Sequence, residues 1–294
     1  MYKSLVRPHL DYCDVIFHIP PSINGYFDNV ANTGALNALM AKIESIQYQA
    51  ALAITGTWQG TSRSKLYNEL GFESLSDRRS SNRVVQLFKI KNNFTPDYLR
   101  HKLTPPTVAN IPNANPNSFE EKRTRTFRYK NSFFPNAISS WNNITTNIEG
   151  NVIKSSIKSH ILRNTRPNHK SVYNIHDPIG LHYLFQLRTE LSPLQAHKYR
   201  HNFRDTPTNN CSCNQGIEDT GHFLFECCNF ATHRVSLAVD VTNILRKHNL
   251  LNFANDVDMY LYGDPRIPLE DNKQILIATI KYIKNTDRFS RKVT

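Results

Sequence analysis

The sequence predicts a mainly α protein, on three observations. From Leu36 to Ala53 the apolar residues Leu36, Leu39, Met40, Ile43, Ile46, Ala50 and Ala53 recur at three-and-four spacing, the period of one helix face. Glycine is scarce, 10 of 294 residues, which argues against a turn-dense β sandwich or barrel and against glycine-rich phosphate loops. Cap and stop residues bracket several further apolar stretches.

Taken in order, Tyr2, Leu5 and Val6 share one helix face, and Pro8 is expected to cut that helix short. So short a first element suggests a chain that opens inside a larger parent architecture. The 35–55 helix follows and stops at Gly56. Thr61 or Ser62 caps a short helix through Leu70, with Gly71 past its end. Ser76 is expected to cap a third helix, in which Val84, Val85, Phe88 and Lys91 alternate with Arg78, Arg79 and Arg83. Pro105, Pro106, Pro112 and Pro116, with several asparagines, read as a linker or surface loop. Residues 122–130 form a basic segment, a short strand or an extended arm, and an amphipathic helix from Phe133 to about 148 follows. Lys154, Lys158, Arg163, Arg166 and Lys170 make a second basic stretch. Residues 178–204 read as a helical hairpin, its second helix opening at Ser192-Pro193 with serine as cap and proline in the first turn. Helices near 230–247 and 271–285 close the chain.

Net charge is +12 and the isoelectric point about 9.5, so a polyanion is the expected partner. The plainer alternative is a basic solvated surface with no dedicated partner. Mean hydropathy is −0.51, no apolar run reaches membrane-spanning length, and the N-terminus lacks the apolar stretch of a signal peptide. No membrane partner is expected. The chain reads as intracellular, nuclear or cytoplasmic, and not secreted. Three Asn-x-Ser/Thr triplets, at Asn93, Asn143 and Asn210, carry no weight without secretion.

Four of the five cysteines fall between 211 and 228, which fits a metal in a reducing compartment better than a spread disulfide framework. Cys211, Cys213, His222 and Cys227 form a C-x-C-x8-H-x4-C run. Three thiols and an imidazole match a closed tetrahedral zinc site, and one helical turn can deliver His222 and Cys227 to the same ion. The C-x-C bite is tighter than the usual two-to-four spacing. Cys228 is a spare thiol that can exchange with Cys227. The plain alternative is a set of ordinary reduced cysteines under a loop. With all four positions filled, a bound zinc is structural, with no open place for an activated water.

Two cationic stretches interleave with aromatics: Lys122, Arg123, Arg125, Arg128 and Lys130, and then His197, Lys198, Arg200, His201 and Arg204. Each can contact several phosphates, while Phe127, Tyr129, Tyr199 and Phe203 can stack on unpaired bases. Phe127 and Phe203 fit a core equally well. No catalytic residue stands out. Asp11 and Asp14 flank one turn, a common arrangement, and no Tyr-x-Asp-Asp segment occurs.

Several segments together resemble a known family. They are Tyr2-Lys-Ser-Leu-Val-Arg-Pro-His-Leu-Asp-Tyr-Cys, Gln49-Ala-Ala-Leu-Ala-Ile-Thr-Gly, Lys65-Leu-Tyr-Asn-Glu-Leu-Gly and Leu75-Ser-Asp-Arg-Arg, followed by Asn131-Ser-Phe-Phe-Pro and Trp141-Asn. In that order they resemble the region after the palm in reverse transcriptases of non-LTR (LINE-type) retrotransposons. Leu187-Arg, Leu191-Ser-Pro-Leu, His197-Lys-Tyr-Arg-His-Asn-Phe and the Cys/His run resemble the family's C-terminal zinc-knuckle region. The resemblance implies a helical thumb-like bundle over 1–104 and a Pro-rich linker, basic arm and helix over 105–170. It further implies a helical hairpin plus CCHC zinc knuckle over 171–235 and a C-terminal helical region over 236–294. It also implies RNA template and DNA primer or target as partners, with no small-molecule substrate. Palm, fingers and catalytic aspartates of the family are missing from this sequence. It is therefore expected to be a truncated polymerase fragment that binds nucleic acid and does not polymerise. A host-retained zinc-dependent nucleic-acid-binding protein, or a relic without function, are the alternatives.

Overall fold

The computed structural model describes residues 2–17, 33–105, 118–145 and 175–290. Among these residues the chain is helical, and the one sheet-like pairing is an isolated antiparallel bridge between Asn210 and Ile217. The second basic stretch, 154–170, and most of the Pro-rich segment lie outside the described residues. The fold divides into two compact units: residues 1–48 with 71–166, and residues 49–70 with 167–294. Residues 49–70 thus group with the C-terminal part of the chain.

In the first unit, Leu75–Lys91 and Phe133–Thr145 form the frame. Ser74, not Ser76, caps the first of these. Its Oγ accepts from the Asp77 N–H at 3.0 Å and donates to the Asp77 carboxylate at 2.7 Å. Val84, Leu87, Ala137, Ile138, Trp141 and Ile144 pack together between the two helices. Arg78, Arg79 and Arg83 are all buried. The reason is tertiary: the 2–17 segment covers their side of the helix and presents acceptors to it. Arg78 pairs with Asp11, Arg79 donates to the Leu10 carbonyl at 2.7 Å, and Arg83 donates to the carbonyls of Val15 and Asn131 at 3.1 and 3.0 Å. Such burial is tolerated because most of the guanidinium donors find partners, Arg79 Nε being the one left without.

Pro8 does not stop a helix. A single wide turn, Tyr2–Val6, leads into a helix at Arg7–Asp11, with Pro8 in its first turn where an N–H has no partner to lose. The long helix is present as Thr33–Thr55, and Gly56 ends it at φ +63°. Its buried side is shifted from the expected one. Gln47, Ala51 and Thr55 are fully buried, while Leu39 and Ile46 are about half exposed at 52% and 47%. Gln47 sits there because its amide is satisfied on both ends: it accepts from the Tyr2 hydroxyl and donates to the Glu73 carbonyl, each at 2.8 Å.

The second unit packs Arg63–Leu70, Pro178–Arg188, Ala231–Lys247, Val257–Tyr262 and Leu269–Asn285. Leu184, Phe223, Leu224, Leu237, Val241, Leu245, Ile275, Leu276, Tyr282 and Ile283 make its core. Asp177 caps the 178–188 helix by accepting from the Gly180 N–H at 2.9 Å. Gly180 is required by packing, since a Cβ there would stand 2.1 Å from Ile280 Cγ2 on the last helix. Arg188 is buried against Glu69, donates to the Leu261 carbonyl at 2.7 Å, and lies 4.7 Å from the Tyr262 ring centroid.

Candidate metal centre

The Cys/His run folds as two local devices that face each other. The first is a tight hairpin. Glu218 N–H donates to the Asn209 carbonyl at 2.9 Å, and Cys211 N–H donates to the Gly216 carbonyl at 2.8 Å. Asn214 turns the chain at φ +59°, a left-handed value that asparagine tolerates well. The Gln215 N–H points back at Cys213 Sγ, 3.4 Å away. The C-x-C spacing thus wraps one turn and sends both sulfurs to one side.

The second device is the single wide turn His222–Glu226, closed by an i to i+5 hydrogen bond from Cys227 N–H to the His222 carbonyl at 2.8 Å. Asp219 starts it by accepting from the His222 N–H at 2.8 Å. A five-residue separation therefore brings His222 and Cys227 to the same side. Phe223, fully buried between them in sequence, anchors the turn in the core.

Together the devices bring Cys211 Sγ to 3.5 Å from Cys227 Sγ, and Cys213 Sγ to 3.2 Å from His222 Nε2. One ligand atom from each of the four residues lies within 4.8 Å of all the others. Cys211, His222 and Cys227 are buried. This cluster can hold a metal ion. His222 Nδ1 stands 3.3 Å from Glu226 Oε2, which orients the ring so that Nε2 faces the sulfurs. Arg234 clasps the same turn, donating to the Leu224 carbonyl at 2.9 Å and to the Cys227 carbonyl at 2.5 Å. Cys228 is exposed, with its sulfur 3.9 Å from Asn229 Oδ1, and it stands outside the cluster. The fold has selected Cys227.

Burial pushes the Cys211 thiol up to about 12 and raises Cys227 as well. At Cys213 burial acts in the same sense but is outweighed by hydrogen bonds from the Gln215 N–H, Cys211 and His222, which bring it down to about 7. An ion binding here displaces the protons that burial holds on Cys211 and Cys227.

The loop also organises the cationic helix. That helix runs Gln195–Arg200, beginning two residues after the expected Pro193 because Ser192 turns its hydroxyl to the Leu194 N–H and to His197 instead of capping. Glu218, from the hairpin, accepts the Gln195 N–H on its carboxylate at 2.8 Å and the Ala196 N–H on its carbonyl at 3.1 Å. Arg288 in turn grips both carboxylate oxygens of Glu218 at 2.7 Å and the Pro193 carbonyl at 2.8 Å.

His197 differs from the other residues of the cationic stretch in its burial. It is buried, with Nδ1 at 2.8 Å from Ser192 Oγ and Nε2 at 3.5 Å from Thr220 Oγ1. Burial, then the nearby Arg200 charge, lowers its pKa to about 4. It is a neutral linker between helix and loop. Arg200, His201 and Arg204 are exposed, and Lys198 is half-buried. Lys198 pairs with Asp205 and lies 5.9 Å from the Phe203 ring, and Arg200 pairs with Glu190. Phe203 is half-buried and packs on Trp58 with ring centroids 5.6 Å apart. Tyr199 is exposed.

The 122–130 segment is neither strand nor fully extended arm: it ends in one helical turn, Phe127–Lys130, capped by the Thr126 hydroxyl. Lys122, Arg123, Arg125, Arg128 and Lys130 are all exposed. No protein-family model, curated protein or solved structure matches this chain. No helix among the described residues is long and apolar enough to cross a membrane. Sequence reasoning passed over Glu218, Asp219 and Arg288. Asp219, three residues before His222, had the spacing of a cap and was legible. The Glu218–Arg288 pair, 70 residues apart, left no local signal.

Proposed function

We propose that this chain is a helical nucleic-acid-binding protein in which Cys211, Cys213, His222 and Cys227 hold one structural zinc ion. The cluster carries the reading. In a tetrahedral zinc site with Zn–S of about 2.3 Å and Zn–N of about 2.0 Å, neighbouring ligand atoms stand roughly 3.6–3.8 Å apart. The 3.5 and 3.2 Å pairs lie within a few tenths of an ångström of that, with a three-thiol, one-imidazole donor set. Bound zinc would supply charge and folding energy to the hairpin and turn, and all four of its positions would be taken by protein. The loop's hold on the 195–200 helix then makes the ion a support for Arg200, His201 and Arg204 at the surface.

Net charge and the two cationic stretches favour a nucleic-acid partner over a catalytic role. The sequence blocks named above favour placing the chain with the thumb and zinc-knuckle region of LINE-type reverse transcriptases, gripping RNA template and DNA primer or target. With no Tyr-x-Asp-Asp segment in the sequence, this chain does not extend a primer alone. Metal analysis of purified protein should find close to one zinc per chain, and none in a Cys213→Ser, His222→Ala double variant. Retention of zinc in that variant rules out the site. Binding to single-stranded RNA should weaken steeply with salt, log K falling by about 0.7 per phosphate contact. A flat salt dependence rules out the nucleic-acid reading.

A further inference from the structure

Within the first unit, the basic arm and the 133–145 helix enclose a cavity of about 380 Å³. That lies at the lower end of the roughly 300–1,000 Å³ of small-molecule sites, too small for a duplex and larger than an inorganic phosphate needs. Its lining is divided in chemistry. Lys102, Lys122 and Lys130 bring three ammonium groups, against one carboxylate from Glu121. Phe134, Pro135 and Ile138 bring an apolar part, with Ile138 rooted in the core beside Trp141. Tyr129 lines the same cavity and is 47% exposed, so an aromatic ring is part of the lining on the solvent side. The Glu121 carboxylate is held by Asn142, which donates to Oε1 at 3.1 Å, and this leaves the other oxygen as an acceptor at the wall.

We propose that this cavity takes a single nucleotide unit, its base against Tyr129 and the apolar part and its phosphate on the lysines. An inorganic anion would leave the apolar part idle, and an uncharged ring would leave three lysines idle. An acceptor beside an aromatic face suits a base with an exocyclic amine. The proposal deepens, and rests on, the nucleic-acid reading of the arm. The nucleotide has two sources, a free mononucleotide or one base turned out of a single strand.

The test uses the full chain, adenosine monophosphate, inorganic phosphate and a ten-nucleotide single-stranded RNA. Ser139→Phe fills the cavity without changing charge, and Tyr129→Ala removes the stacking face while leaving the core alone. Either change should weaken the occupant by about tenfold, the size of one lost stacking contact. Weakening of the mononucleotide marks a free nucleotide as occupant, weakening of the RNA marks a base of the strand, and weakening of both marks the shared chemistry. RNA binding that falls on Lys122→Gln but is unmoved by Ser139→Phe and Tyr129→Ala, with no mononucleotide binding, overturns the cavity and leaves the nucleic-acid reading standing. Phosphate binding as tightly as the mononucleotide also overturns it. Mononucleotide binding with no RNA binding keeps the cavity and overturns the wider reading.

Discussion

The two cationic stretches look alike in sequence and differ in structure. In the 122–130 arm the charges stand exposed, and among the described residues no carboxylate pairs with Lys122, Arg123, Arg125 or Arg128. In the 195–204 region, Lys198 and Arg200 already hold Asp205 and Glu190, and His197 is buried and neutral. The arm rests on one capped helical turn, whereas the second region is braced by the Cys/His loop through Glu218. A cationic stretch in the sequence is therefore not by itself charge available to a polyanion.

Metal removal should break this contrast most strongly. Structural zinc in small sites contributes on the order of 10–16 kcal/mol of apparent binding free energy. Chelation, or the Cys213→Ser, His222→Ala change, should melt the loop and release the 195–200 helix, leaving the arm's RNA contacts in place. Hydrogen exchange of the Gln195 and Ala196 amides reads this directly, and protection that survives zinc loss would refute it.

Acid should come next. The His197 ring is neutral in the folded chain down to about pH 4, while an unfolded histidine titrates near 6.5. Below pH 6.5 the unfolded chain takes up a proton that the folded chain refuses. Stability therefore falls between pH 6.5 and 4, by about 3 kcal/mol in all. His197→Gln should lose that portion of the pH slope in urea melts, and an unchanged slope would show that the ring is not held neutral.

Charge removal on the arm should act on binding alone. Lys122→Gln, Arg125→Gln and Arg128→Gln together should make the salt slope for single-stranded RNA shallower by about 2, with the melting temperature unmoved. An identical slope would place the RNA elsewhere. The smallest effect is expected at Arg200→Gln, less than about twofold, because Arg200 is already engaged with Glu190, a carboxylate it shares with Lys65. A loss as large as that of the arm variant would erase the distinction between the two regions.

By itself the sequence determined the main helices and the four residues of the Cys/His cluster. Three-and-four spacing, Asp or Ser before a helix and Gly after it are local, so Thr33–Thr55, Arg63–Leu70, Ala231–Lys247 and Leu269–Asn285 follow from nearby residues. The C-x-C turn and the five-residue step from His222 to Cys227 are local too. What faces inward was decided only by the tertiary structure. Gln47, Arg78, Arg79, Arg83 and His197 are polar residues that any local pattern sends to solvent, and the fold buries each. Each stays inside because a partner distant along the chain or across a turn takes up its polar atoms, Arg79 Nε excepted. Burial of a polar group is an account settled between segments, not within one.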